Sequence, residues 1–305
     1  MTRLAAAMSG WLNGVAERHA DTVRNQYPGR LLRSITNGVH AATWTSPPFA
    51  PLYDRYLGHW AQEPELLSRV PSVVPVDALD GAHGQAKAAL CRRVESATGV
   101  RLRLDRPVLG FARRMTAYKR PDLLFADLER LRAIARQHPF QLLFAGKAHP
   151  ADLEGKRLIV ELHQALSALR PDITSAFLPN YGFQEAALLV SGADVWLNTP
   201  LPPLEASGTS GIKAALNGVP SLSVLDGWWV EGCVEGITGW GISGDGPGAG
   251  AASELYDKLE HAVLPTWYGP RDVWLKLMQG AIALNGANFH SQRMMRRYAS
   301  EAYLR

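Results

Sequence analysis

From residue 106 onward, short apolar runs alternate with longer amphipathic stretches. The runs cover residues 107–112, 140–145, 174–178, 193–199 and 220–225. Short apolar runs of this kind are typical of strands buried on both faces of a parallel sheet, and the stretches between them are typical of crossover helices. The sequence therefore predicts an α/β fold, with a Rossmann-like parallel sheet and flanking helices.

The first hundred residues have a different pattern. Helical patterns at 11–23, 51–60 and 84–98 are broken by proline and glycine, and no alternation typical of a strand stands out. We therefore expect a mostly helical segment over 1–100, followed by the Rossmann-like domain over 101–305.

Composition excludes several classes of protein. The chain has 305 residues, is 47% hydrophobic and carries a formal net charge of +4, which excludes a disordered chain. No apolar stretch approaches the roughly 20 residues that cross a membrane. The basic residues are dispersed rather than interleaved with aromatics in a stripe, so we expect neither a membrane nor a nucleic acid as partner.

Cysteine and histidine usage narrows the chemistry further. The two cysteines are too few for a disulfide framework, and the N-terminus lacks a convincing signal peptide, so we expect a reducing, cytoplasmic location. The nine histidines show no spacing typical of metal ligands, so we expect no metal.

The loop after the first predicted strand is rich in cations. Residues 113–120 include Arg113, Arg114, Lys119 and Arg120. Such a segment is suited to clamping a phosphate, because Arg offers a planar fork of donors and Lys a point charge. The same segment also fits a solvated helix entry with ordinary surface ion pairs, and taken alone it does not separate the two interpretations.

The loop after the fourth predicted strand is the most distinctive. Residues 207–211 read Ser-Gly-Thr-Ser-Gly, and small residues can turn N–H and O–H groups toward an anion. Lys213 follows within the first turn of the next helix, which suggests a counter-charge for phosphate or a covalent link to pyridoxal phosphate. Glu205 lies just upstream, where it can accept hydrogen bonds from a sugar. The alternative is a flexible turn with an exposed lysine.

Aromatic residues follow two other predicted strands. Tyr181 follows the third strand, where it either hydrogen-bonds a ligand or packs on the rim of the sheet. Trp228 and Trp229 follow the fifth strand, where paired tryptophans either stack on a sugar or belong to the core. The glycine-rich run 241–250 lacks the G-x-G-x-x-G spacing of a dinucleotide loop, so we reject that interpretation.

Taken in order along the chain, these segments resemble the α-glucan phosphorylases, the glycogen and starch phosphorylase family, which has the GT-B architecture. The Glu-Ala-Ser-Gly-Thr-x-x-x-Lys block over 205–213 and the Arg-x4-Lys spacing of Arg114 and Lys119 carry most of the resemblance. Matching segments extend from Asn13 to residues 225–227, and the Thr-Asn-Gly-Val-His and Leu-Asp-Gly-Trp-Trp segments resemble the shorter bacterial branch.

The resemblance implies an enzyme, a hexosyltransferase of glycogen catabolism. The family reaction is reversible: an α-1,4-glucan such as maltodextrin and inorganic phosphate give glucose 1-phosphate and a shortened glucan, with retention at the anomeric carbon. It is assisted by the phosphate of pyridoxal 5'-phosphate. Two alternatives stay open, a GT-B glucan synthase that uses a nucleotide sugar and an inactive sugar-binding remnant.

The resemblance also implies roles for individual residues, with Lys213 as the attachment point of the cofactor. The positions expected to bind the cofactor are Lys213, Ser207, Gly208, Thr209, Arg113 and Tyr181. The positions expected to bind substrate are Glu205 and Asn13 for the glucosyl unit and Arg114 and Lys119 for inorganic phosphate. The positions expected to act in catalysis are Lys213, Arg114 and Lys119.

Members of this family are considerably longer, and a whole N-terminal half precedes the part matched here. That half supplies the opposite wall of the catalytic cleft. We therefore expect this sequence to be a truncated or partial chain, a fragment or one product of a split gene, that is nearly inactive alone. Its expected partner is a separate N-terminal half or a second copy of the chain.

Overall fold

The computed structural model describes residues 2–244 and 249–304. Part of the glycine-rich run, residues 245–248, lies outside the described residues. Two parallel sheets occur within the described ranges. The small sheet pairs β1 (Asn13–Gly14) with β2 (Arg33–Ser34). The large sheet contains β3 (Val108–Arg114), β4 (Gln141–Lys147), β5 (Thr174–Leu178), β6 (Val195–Asn198), β7 (Ser221–Val224) and β8 (Gly239–Ile242).

Helices flank the large sheet and form most of the first hundred residues. The α-helices are α1 (Thr2–Met8), α2 (Glu17–Val23), α3 (Ala41–Trp44), α4 (Ala50–Leu57), α5 (Val70–Val73), α6 (Val76–Thr98), α7 (Leu128–Gln137), α8 (Leu153–Leu169), α9 (Phe183–Gly192), α10 (Ser210–Ala215), α11 (Trp229–Gly232), α12 (Ala249–Lys258), α13 (Leu264–Tyr268), α14 (Arg271–Gly280) and α15 (Ser291–Tyr298). Short 3₁₀ turns cover Arg24–Gln26, Pro64–Arg69, Ala117–Lys119 and Leu123–Phe125, and π-helical segments cover Leu259–Val263, Ala281–Gly286 and Ala299–Tyr303. Among the described residues, no helix combines the length and the apolar character needed to cross a membrane.

The strand order of the large sheet is β5-β4-β3-β6-β7-β8, and every neighbouring pair is parallel. Numbered from β3 as the first strand, this is the order 3-2-1-4-5-6 of doubly wound sheets. The prediction of a parallel α/β sheet with flanking helices is confirmed. Because the connections leave in opposite directions from β3 and β6, the loops after these two strands open a crevice at the carboxyl edge, where ligands of such sheets bind.

One strand of the large sheet, β8, has no apolar run in the sequence that predicts it. Its four residues alternate Gly239 and Gly241 with only two apolar side chains, too few to form an apolar run. Gly239 has φ +146°, and a Cβ there would lie 2.0 Å from the carbonyl oxygen of Ser221 on β7. The glycines that hide the strand from a pattern search are therefore what lets it approach its neighbour.

Two predicted helices begin later than their patterns suggest. Within 11–23 the chain first forms β1, which pairs with a strand twenty residues away, and α2 begins only at Glu17. In the amphipathic stretch between the first two apolar runs a 3₁₀ turn comes first, and α7 begins at Leu128 because the Asp127 side chain accepts the N–H of Arg130 and caps the helix.

The core lies on both faces of the large sheet. On one face Phe111 of β3 and Phe144 of β4 stack with ring centroids 5.2 Å apart. On the other face Leu90 of α6 and Leu189 of α9 pack with the sheet. The first hundred residues join the same core: the buried Tyr53 of α4 donates its hydroxyl to the carbonyl of Leu216 at 2.8 Å.

A buried charge cluster ties α6 to the amino edge of the sheet. The carboxylate of Asp194, just before β6, lies 2.7 Å from Lys87 Nζ and 3.0 Å from His83 Nε2, and it accepts the N–H of Val108 at 2.8 Å. Burial opposes the charge of Asp194, but Lys87 and the hydrogen bond from His83 outweigh it. The pKa of Asp194 is therefore held far below its ordinary value.

Replacing Asp194 by Asn should lower the free energy of unfolding by about 3–5 kcal/mol, because Lys87 is left as an unpaired buried charge. Since the pKa of Asp194 is lower in the folded chain, its contribution is present above the ordinary value of 3.8 and is lost as the pH falls below it. Denaturant titrations at neutral and acid pH measure both effects. As the control, Asp257→Asn removes an exposed pair with Arg130 and should cost less than about 1 kcal/mol. Equal losses in the two variants would contradict the prediction.

Candidate functional site

The candidate site lies at the crevice between the loops after β3 and β6. Arg120 joins the two loops: its guanidinium donates to the carbonyls of Thr199 at 3.0 Å and Pro200 at 2.8 Å, and Thr199 Oγ1 donates back to the Arg120 carbonyl at 2.8 Å. Arg120 itself has φ +43°, a left-handed conformation that residues with a side chain rarely adopt. The sharp turn that places residues 113–120 beside the second loop is therefore held by hydrogen bonds to that loop.

Two cations meet one carboxylate in this crevice. Glu205 Oε2 accepts a hydrogen bond from Arg113 Nη2 at 2.7 Å and another from Lys119 Nζ. Each of the three side chains is exposed by 10% or less. Burial opposes the charge of Glu205, but Arg113 and Lys119 outweigh it and hold the pKa of this carboxyl below its ordinary value. The three groups together carry one surplus positive charge.

Several buried polar atoms around this cluster have no hydrogen-bond partner among the described residues. They are Arg113 Nε, Arg113 Nη1, Thr116 Oγ1, Asn198 Oδ1 and Ser207 Oγ. Buried polar groups are normally hydrogen-bonded, and leaving one unpaired costs about 1–3 kcal/mol. Asn198 Oδ1 can only accept a hydrogen bond, but the other four atoms can donate, and unused donors next to a surplus positive charge are suited to binding an anion.

The loop that carries Glu205 and Ser207 has a constrained backbone. Gly208 has φ +77°, and a Cβ there would lie 3.2 Å from Glu205 Cγ, so a side chain at this position would be strained and would press on the glutamate. The small residues of this loop, predicted to turn toward an anion, therefore form a tight turn directly beside the ion cluster.

Lys213 of α10 holds its amine in a half-buried, largely aromatic environment. Its Nζ lies 3.8 Å from the ring centroid of Trp44, and none of the described residues forms an ion pair with it. Asn217 keeps this pair together, since it accepts the N–H of Ser46 at 2.8 Å and donates to the Trp44 carbonyl at 2.8 Å and the Lys213 carbonyl at 3.0 Å. Burial lowers the pKa of Lys213, which enlarges the neutral, nucleophilic fraction of the amine.

Trp44 and Asn217 were not identified from the sequence. Trp44 lies in α3, far from Lys213 along the chain, and a single tryptophan in a short helix carries no recognisable pattern. Asn217 lies two residues beyond the end of α10, where the sequence alone marks it as an ordinary residue near a helix end. Only the packing of α3 against α10 reveals that both hold the lysine.

The cation that accompanies Lys119 at Glu205 is Arg113 and not Arg114. Arg114 is exposed and lies in register with the exposed Lys147 on β4, so two cations stand side by side at the edge of the sheet. The structure therefore brings three of the predicted side chains together, Arg113, Lys119 and Glu205, and leaves Arg114 on the rim.

The two groups of aromatic residues that the sequence singled out are partly or fully packed. Tyr181 packs against the core cluster on one face of the sheet; burial raises the pKa of its hydroxyl, while the nearby charge of Arg113 lowers it. Trp228 and Trp229 are about 2% and 1% exposed, and Trp228 packs edge-on against Phe289 at 5.0 Å. The paired tryptophans belong to the core.

Asn13 does not contact the ion cluster in the part of the chain that the structure describes. Its Nδ2 donates to Tyr298 Oη at 2.9 Å and to the Gly14 carbonyl at 2.9 Å, and its Oδ1 accepts the Trp11 Nε1–H at 3.1 Å. The start of α2, just after β1, approaches α11, since Glu231 accepts the N–H of Glu17 at 3.0 Å. A direct role of Asn13 beside Glu205 stays a prediction.

Comparison with known proteins gives one consistent family. The family model described as carbohydrate phosphorylase matches residues 1–236. The chain is 36% identical to a glycogen phosphorylase of Aquifex aeolicus and 36% identical to a maltodextrin phosphorylase of Thermococcus litoralis. It is 39% identical to a glycogen phosphorylase of Mycobacterium tuberculosis.

These similarities cover 99% of this chain but 49%, 40% and 40% of the three relatives, respectively. The chain therefore spans less than half the length of the curated relatives it matches.

Removing the carboxylate from the ion cluster should make the chain depend on an external anion. In Glu205→Gln the buried cations Arg113 and Lys119 lose their counter-charge, which should lower the free energy of unfolding by about 3–5 kcal/mol. Inorganic phosphate should then raise the melting temperature of the variant more than that of the wild type, because bound anion restores the balance. Thermal melts across a phosphate series measure this.

The matched control is Glu185→Gln, which removes a carboxylate from the pair that Glu185 of α9 forms with the partly exposed Arg93 of α6. It should melt with the same response to phosphate as the wild type. A response of Glu205→Gln no larger than that of the control would contradict the assignment of the cluster to anion binding.

Proposed function

This chain belongs to the carbohydrate phosphorylase family, and on that premise we propose that it forms the cofactor-bearing C-terminal half of a GT-B α-glucan phosphorylase. The observation that carries the proposal is the buried ion cluster of Arg113, Lys119 and Glu205. The cluster lies beside the tight small-residue loop, and that loop leads into α10, which carries the half-buried amine of Lys213. The strand order of a doubly wound sheet supports a Rossmann-like half over 101–305, with 1–100 at the junction to the other half.

The residues present fit pyridoxal 5'-phosphate. Lys213 offers an amine whose pKa is lowered by burial, which suits covalent attachment to an aldehyde. Ser207 has an unused buried hydroxyl, and Arg113 has two unused buried donor nitrogens, which suits them to hold the cofactor's phosphate together with Gly208 and Thr209. Tyr181 lies near the charge of Arg113 and completes the binding set.

When bound, the cofactor supplies a phosphate group that can share a proton with inorganic phosphate, since neighbouring dianions raise each other's pKa. The chain's own residues make that approach tolerable: Lys119 and Arg114 provide positive charge for inorganic phosphate. Glu205 accepts hydrogen bonds from glucosyl hydroxyls, and Asn13 contributes a further partner for the sugar. Exclusion of water strengthens each of these contacts.

The substrates that we propose are an α-1,4-glucan or maltodextrin with inorganic phosphate, and the products are glucose 1-phosphate and a shortened glucan, with retention of configuration. Relatives named glycogen and maltodextrin phosphorylase support this choice. Because those relatives are about twice as long or longer, we propose that turnover needs a second wall of the cleft, from a separate N-terminal half or a second copy. Both cysteines are free, which supports a reducing, cytoplasmic compartment.

Pyridoxal phosphate should attach to Lys213 alone, because this amine combines a lowered pKa with a neighbouring anion-binding loop. Borohydride reduction of the loaded chain followed by peptide mapping measures the attachment point. Lys213→Ala should lose the covalent cofactor and keep the fold, which circular dichroism checks. The exposed Lys276, paired with Asp272, is the control: Lys276→Ala should load normally. A tag on another lysine, or none, would refute the assignment.

Lys119→Ala should lower kcat/KM for inorganic phosphate by about 100-fold, the scale of one lost electrostatic contact in a transition state. The assay is phosphate-dependent release of glucose 1-phosphate from maltodextrin, by the loaded chain alone and together with a separately expressed N-terminal half. Activity is expected only in the combined sample. A loss of less than a few-fold in a normally melting variant would show that Lys119 does not serve the phosphate.

A further inference from the structure

The loop after β7 forms hydrogen bonds with the backbone of the loop after β6. Asp226 Oδ2 accepts the N–H of Glu205 at 2.9 Å, and Asp226 Oδ1 accepts the N–H of Gly227 at 2.9 Å. The N–H of Trp228 donates to the carbonyl of Ser207 at 2.8 Å. We name residues 226–228 the clasp, since they form hydrogen bonds with the backbone groups of both Glu205 and Ser207.

The clasp is also packed too closely against the loop after β6 to accept a side chain at Gly227. Gly227 has φ +55°, and a Cβ there would lie 2.3 Å from the Ser207 carbonyl oxygen and 3.0 Å from that of Glu205. The Trp228 ring packs closely against α10, since a Cβ on Gly211 of that helix would lie 2.9 Å from Trp228 Cζ2. The clasp therefore cannot shift without moving the loop it grips.

Asp226 holds a charge that burial disfavours. The side chain is about 2% exposed, and burial, with a smaller contribution from the charge of Glu205, raises its pKa, although the two backbone hydrogen bonds oppose the rise. An apolar side chain would avoid this cost but could not accept two N–H groups. An amide of the same shape has only one acceptor oxygen, so its NH₂ group would face the backbone N–H of either Glu205 or Gly227.

We propose that Asp226 is a positioning residue for phosphate recognition: it fixes the backbone of residues 205–209, so that the Glu205 carboxylate and the Ser207 hydroxyl keep their places in the anion-binding loop. The proposal rests on the function proposed above. Asp226 acts through its neighbours and does not itself touch cofactor or substrate.

The clasp and the lysine are held by separate contacts. Asp226 and Trp228 form hydrogen bonds with the loop ahead of α10, and the Trp228 ring lies against Gly211 of α10. Neither Asp226 nor Gly227 contacts Lys213 among the described hydrogen bonds, whereas Trp44 packs on its amine and Asn217 donates to its carbonyl. Disturbing the clasp should therefore weaken binding of a phosphate group and leave the reactivity of the amine in place. A merely structural role of Asp226 would weaken both together.

The experiment compares binding of pyridoxal 5'-phosphate with binding of pyridoxal, which carries the same aldehyde without the phosphate. The variants are Asp226→Asn, which removes one acceptor, and Gly227→Ala, which pushes on the Ser207 carbonyl. The matched control is Gly236→Ala: Gly236 has φ +71°, but nothing lies within 4 Å of its Cβ position. Affinities are measured from the absorbance of the lysine adduct, and borohydride trapping at Lys213 confirms the site.

In both clasp variants the preference for the phosphorylated compound should fall about tenfold, the scale of one lost hydrogen bond to a charged group. Binding of pyridoxal itself should stay within about twofold, and Gly236→Ala should keep the wild-type preference. Should Asp226→Asn fail to fold, Gly227→Ala against Gly236→Ala decides the question.

Two results would overturn the inference. An unchanged preference in the clasp variants, or an equal loss for both compounds, would show that Asp226 only supports the fold. A wild-type chain that forms no adduct at Lys213 would instead refute the proposed function, and the inference with it. The two failures are distinguished by whether the wild type is loaded.

Discussion

Two buried cations that share one carboxylate organise the carboxyl edge of this fold. Arg113 contacts Glu205 from the end of β3 and Lys119 contacts it from the loop that follows, while Glu205 lies on the loop after β6. A buried charge is tolerated only when it is paired, so these contacts pull the two loops into one crevice. The surplus positive charge that remains explains why this crevice is suited to an anion.

The sheet decides that these loops meet at all. β3 and β6 are neighbours in space although β4 and β5 lie between them in the chain, because the connections leave in opposite directions at this point. The opposite edge of the same two strands carries the cluster of Asp194, Lys87 and His83, which anchors α6. The same pair of strands thus carries the Asp194 cluster, which stabilises the fold, at one edge, and the Glu205 cluster, which has unused donors beside it, at the other.

Around the crevice, different residues hold the amine of Lys213 and the loop that we propose to bind an anion. Trp44 and Asn217, packed on α10, keep Lys213 in a half-buried position where its pKa falls. The clasp of residues 226–228 holds the loop of Glu205 and Ser207 instead. The cofactor proposed above carries an aldehyde and a phosphate at opposite ends, which matches this division.

The sequence by itself determined the parallel α/β sheet, and it also predicted the candidate loops and the candidate residues Arg113, Lys119, Glu205 and Lys213. Apolar periodicity and local loop composition are short-range properties, so they can be read along the chain. Only the tertiary structure decided that Arg113 rather than Arg114 meets Glu205, that Asn13 bonds Tyr298, and that Trp44 covers Lys213. The tertiary structure also revealed β8, which has too few apolar side chains between its glycines to be recognised from the sequence pattern. Those outcomes depend on which distant segments pack together, and that packing minimises unpaired buried charge and polar groups across the whole fold.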